Sequence, residues 1–73
     1  NYCEADCAES RKDFEHKLGI ASKEAKENKH WMRMISAAAP ETAGEAHVLW
    51  KEADELQRIL IAIIRSSRKN DAR

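Results

Sequence analysis

One proline, two glycines and two cysteines are the whole supply of those residue types in this 73-residue chain, and its charges cancel to zero. Each scarcity removes a class of explanation. Without glycine-rich stretches there is no phosphate-cradling loop, and no Gly/Ser linker, low-complexity tract or 20-to-50-residue repeat divides the chain. No run alternates as a strand does over a useful length. The longest apolar run, Ile59 to Ile64, has six residues, against about 20 for a bilayer-spanning helix. No signal-peptide pattern is visible either. A soluble, cytoplasmic protein without membrane contact is expected. The neutral total also removes the simplest case for nucleic-acid binding, a strong global basic field.

Cys3 and Cys7 stand four apart, which fits neither a Cys-x-x-Cys redox motif nor a usual zinc knuckle. On a helix they share a face but are poorly aimed for a mutual disulfide, so free thiols are expected. His16, His30 and His47 are scattered, and none repeats at ligand spacing near the cysteines. No His-Glu-x-x-His motif occurs. Most acids sit in patterns that helix pairing accounts for: Asp13 with Lys17, Lys23 with Glu27, Lys51 with Glu55, and Asp54 with Arg58 all stand four apart. No catalytic residue, metal, cofactor or small-molecule substrate is expected, and the chain reads as a non-enzyme.

What the chain has instead is two long heptad ladders. Phe14, Leu18, Ala21, Ala25, Asn28, Met32 and Ile35 follow alternating steps of four and three. Ala46, Leu49, Ala53, Leu56, Leu60, Ile63 and Ser67 repeat the pattern beyond Pro40. Two such seams joined through a proline describe an all-α antiparallel hairpin, like a coiled coil folded back on itself. Residues 1–73 are read as one partial bundle domain. Within it, 1–8 close a preceding helix, 10–39 and 42–69 form long helices, and 70–73 are a tail. Ser10 with Asp13, and Thr42 with Glu45, resemble capping boxes that start the two helices. Gly19 lies inside the first, where it costs about 1 kcal/mol relative to alanine. A close helix–helix approach is expected to compensate.

A hairpin buries one stripe, yet Ile59-Leu60-Ile61-Ala62-Ile63-Ile64 is apolar around its whole circumference. Each large aliphatic contributes roughly 1.5–3 kcal/mol when buried, so a bundle of at least four helices is the expected solution. Ile20, Trp31 and Met34 form a second apolar flank on the first helix. These three, with Ile59, Ile61 and Ile64, are the candidate interface, toward further helices of one chain or toward another copy. Charge is segregated: residues 10–39 carry an excess of three positive charges, 41–57 of four negative, and 58–73 of four positive. The chain opens at Asn1 without a methionine. It is read as a processed product or, preferably, part of something longer.

These residues resemble a known family. Ser10-Arg11-Lys12-Asp13-Phe14, Lys17-Leu18-Gly19-Ile20-Ala21, Lys23-Glu24-Ala25, Glu27-Asn28 and Trp31-Met32-Arg33-Met34 look like the third helix of bacterial four-helix-bundle proteins. Those proteins are encoded by intervening sequences inside 23S ribosomal RNA genes. Asn1-Tyr2 with Glu4-Ala5 resembles the close of that family's second helix, and Glu52 to Arg65 resembles its fourth. The likeness covers nearly the whole chain but only the second half of a family member. It departs at Glu15, where relatives often place an aliphatic residue, and at Ser22, where many have leucine. The resemblance implies half of an up-and-down four-helix bundle and a homo-oligomer, a ring-shaped pentamer in relatives. A related branch, the accessory proteins of diversity-generating retroelements, binds nucleic acid and a reverse transcriptase. The leading expectation is therefore a self-assembling bundle that contacts RNA or a ribonucleoprotein. Lys23, Lys26, Lys29 and Arg33, with Arg65, Arg68 and Lys69, are the candidate phosphate contacts. The alternative is a protein–protein scaffold with no nucleic-acid role, in which the negative 41–57 segment meets a neighbour's positive 58–73 segment.

Overall fold

The computed structural model describes residues 2–71, with side chains described for residues 9–70. Helix α1 spans Tyr2–Ala38, a single 3-10 turn spans Pro40–Thr42, and helix α2 spans Ala43–Asp71. The two helices fold back on each other into a slab 59 × 15 × 13 Å. The fold is an all-α helical hairpin.

Pro40 makes the reversal. Its ring disfavours helical angles at the residue before it, and Ala39 accordingly leaves the helix at φ −134°, ψ 81°. The Ala39 N–H still donates to the Ile35 carbonyl at 2.8 Å, closing α1. The Ala39 carbonyl accepts the Thr42 N–H at 2.9 Å and the Thr42 hydroxyl at 2.7 Å. Ala43 N–H then donates to the Pro40 carbonyl, so the turn runs straight into α2. The expected Thr42–Glu45 capping box does not form. The Thr42 hydroxyl gives its proton to the turn, and the 3-10 bonds occupy donors that a cap would otherwise satisfy.

The start expected near residue 10 is also absent, because α1 passes through Ser10 unbroken. No proline or glycine stands between Tyr2 and Leu18 to stop it, and a serine inside a helix is only mildly unfavourable. Asn70 and Asp71, expected to belong to a tail, continue α2. The thiols of Cys3 and Cys7 lie outside the described side chains.

Half of each expected ladder faces the partner helix. Leu18, Ala25 and Met32 lie against Ala46, Ala53, Leu60 and Ser67, all buried or half-buried, and Ala21 is half-buried beside them. The alternate rungs Phe14, Asn28, Ile35, Leu49, Leu56 and Ile63 are exposed. Their places in the seam are taken by Glu15, Ser22, Lys29 and Ser36 from α1 and by Trp50, Gln57 and Ile64 from α2. The reason is geometric. Both ladder positions point to the axis of a four-helix bundle, but a pair of helices meets along one flank of that stripe. The core that results is small, with only Ala25, Ala46 and Leu60 buried among the described residues.

Candidate nucleic-acid interface and assembly face

The seam divides the hairpin into two unlike sides. On one side a shallow cleft is lined by Ala25, Asn28, Met32, Leu49, Glu52, Ala53 and Leu56. Phe14 and Ile35 extend this apolar side along α1, and Ile63 extends it along α2, all exposed. Trp31, Val48 and Ile59 lie further round the same side by helical periodicity, each at least half exposed. Of the expected interface residues, Ile20, Trp31, Met34 and Ile59 are exposed, whereas Ile61 and Ile64 are half-buried toward the hairpin's own seam. Both follow Leu60 by steps that turn them toward the other flank of α2.

The opposite side is basic and aromatic. Its centre is a pair of charges bridging the helices: Lys29 Nζ donates to Asp54 Oδ1 at 2.9 Å, and Arg58 meets Asp54 Oδ2 at 3.1 Å. The Lys29 hydrogen bond, helped by the nearby Arg58 charge, holds the Asp54 carboxyl below its ordinary range against the opposing effect of partial burial. Lys29 is therefore committed within the hairpin, not displayed to a phosphate. Of the four ion pairs expected along the helices, Asp13–Lys17 closes at 3.0 Å and Asp54–Arg58 as above. Lys23–Glu27 and Lys51–Glu55 do not close.

Trp50 sits half-buried beside that bridge. Lys29 Nζ lies 5.2 Å from its ring centroid and the Arg33 guanidinium carbon 5.4 Å, both within cation–π range. The His47 ring lies nearly parallel to it, at 6° and 6.4 Å between centroids. The Trp50 indole N–H is enclosed and has no hydrogen-bond partner, as is one carboxylate oxygen of Glu15. Two open clefts share Trp50 and Arg33 as walls. One, about 510 Å³ and mostly apolar, is completed by Met32, Ser36, Ala43, Ala46 and His47. The other, about 370 Å³ and mostly polar, is completed by Lys26, Lys29, His30 and Gln57.

A third cleft on this side gathers Lys12, Glu15, His16, Gly19, Ile20, Lys23 and Arg68. With the polar cleft it defines a track along α1, Lys12, His16, Gly19, Lys23, Lys26, His30 and Arg33, at steps of four and three, with Glu15 the one acid lining the two clefts. The 21 residue steps from Lys12 to Arg33 make it about 32 Å long. Lys23, Lys26 and Arg33 are thus brought together, and Arg68 joins them from α2; Arg65 and Lys69 are exposed nearby in sequence. Sequence reasoning missed Trp50, His47, Lys12 and the bridging role of Asp54. The usable signal was the ladder Trp50, Gln57, Ile64, a seven-residue repeat one step beside the apolar one.

No family model, curated protein or solved structure matches this chain. Among the described residues no group of three or more His, Cys, Asp or Glu side chains is placed to hold a metal ion, and no helix is long and apolar enough to cross a membrane.

Proposed function

We propose that this protein is a non-enzymatic helical-bundle component that self-assembles through its apolar side and carries RNA, or a ribonucleoprotein, on its basic side. The observation that carries the reading is the division itself. An open apolar ladder and a predominantly cationic track, with Glu15 the acid in its clefts, occupy opposite flanks of one seam. Completion of a four-helix bundle on the apolar side covers Leu49, Leu56 and Ile63 together. The likeness to ring-forming bundle proteins supports the same reading and makes a pentamer the first stoichiometry to test.

Cations spaced along a rigid helix bind a phosphate backbone by releasing condensed counterions, without reading bases. The test is a salt titration of RNA binding by the chain and by its triple variant Lys23→Glu/Lys26→Glu/Arg33→Glu, which leaves the Lys29–Asp54 bridge in place. The log–log salt slope is expected to fall by about 2, from three contacts at roughly 0.7 each on a single strand. RNA affinity that ignores salt, or survives the triple change, sinks the nucleic-acid half of the proposal. The scaffold reading rests on a separate observation, the internal use of Lys29 and Arg58 by Asp54. Oligomers that form on native mass spectrometry, dissociate in high salt and retain no RNA favour the scaffold.

A further inference from the structure

The two clefts that share Trp50 and Arg33 differ in chemistry in the way the two halves of a nucleotide differ. One is mostly apolar, with an indole, a parallel imidazole and the small side chains of Ala43 and Ala46. Its neighbour is mostly polar and offers Lys26 and His30, Lys29 on its wall being held by Asp54. We propose that this pair of clefts seats one unstacked nucleotide of a single-stranded RNA, with the base in the Trp50–His47 cleft and its phosphate in the Lys26–His30 cleft. The inference rests on the RNA-binding reading and adds a preference to it: strand separation, which a cationic track alone does not require.

The physical case has three parts. Aromatic rings interleaved with cations are the recognition device for single strands, because every base has a π-face and every linkage a charge. In duplex RNA the bases are stacked and their edges lie in a groove that side chains reach poorly, so a base seat selects unpaired nucleotides. Finally, Arg33 is exposed and within cation–π reach of the indole, so it borders both the base and the phosphate position. The Trp50 N–H, enclosed and without a partner, is a donor that a base carbonyl satisfies once the cleft opens around it. Asp54, which holds Lys29 beside the site, has both oxygens engaged by Lys29 and Arg58, which limits its repulsion of a phosphate.

The experiment compares a 12-nucleotide oligo(U) with a 12-base-pair RNA duplex, binding to the full 73-residue chain and to Trp50→Leu and Trp50→Phe, with circular dichroism confirming each fold. The expected result is tighter oligo(U) binding by the chain, a loss of about tenfold in Trp50→Leu, in line with one stacked base, and partial recovery in Trp50→Phe. Duplex affinity and the salt slope stay unchanged across the three proteins. Equal losses on both ligands, or oligo(U) affinity indifferent to Trp50, overturn the base seat while leaving the cationic track standing. No affinity for either RNA at low salt removes the underlying reading and the seat with it.

Discussion

Asp54 is where the two helices are pinned at a single atom pair. Its folded-state carboxyl titrates below the ordinary value because Lys29 donates to the ionised form. A depressed carboxylate contributes stability that is present above its unfolded value, about 3.9, and is lost as pH falls through the folded one. Acid unfolding of the chain should therefore steepen below about pH 4, and Asp54→Asn should flatten that limb while lowering stability at pH 7. Melting curves between pH 2.5 and 7 measure both effects; parallel curves for the two proteins count against the pin. Gly19 offers a second residue-scale test. A Cβ built there meets nothing within 4 Å, so no close approach inside the hairpin holds the position open. Gly19→Ala should raise helix stability by about 1 kcal/mol. If the same change weakens assembly, the close approach expected at Gly19 belongs to another helix.

At the scale of elements, each helix is held by a heptad stripe of which only one flank is used. Leu60 is the largest buried side chain among the described residues, 9% exposed, and it stands second in the six-residue apolar run of α2. Leu60→Ala removes about 2–5 kcal/mol, enough to abolish the helical circular-dichroism signal in a domain this size at 25 °C. Leu56→Ala, half exposed four residues earlier, should leave the isolated hairpin's signal nearly unchanged. This contrast also explains how far the sequence could be read. The two helices, their antiparallel order and the Pro40 reversal follow from period and backbone chemistry, which are local. Which flank of the stripe closes first depends on the partner helix, so Phe14, Ile35, Leu49 and Ile63 were assigned to a seam they do not enter. Trp50 was overlooked because its ladder, through Gln57, mixes polar with apolar residues and shows no contrast along the chain. The cationic track was legible in residue type, but not the withdrawal of Lys29 from it, since a contact across 25 residues leaves no local mark.

For the whole molecule, the open apolar side predicts association. Replacing Leu49, Leu56 and Ile63 together by lysine should abolish oligomers in sedimentation velocity, with RNA affinity per chain falling only as far as multivalency is lost. Persistence of the same oligomer in that variant would place the assembly contact elsewhere on the hairpin.

Among the described residues the buried core is Ala25, Ala46 and Leu60 alone, a slight one for a chain of this size. On the proposed self-assembly, folding and association are coupled by mass action, and the melting temperature should rise with protein concentration. Under that coupling dilution would act as a mild denaturant, so the number of copies present would tune how much of the chain is ordered.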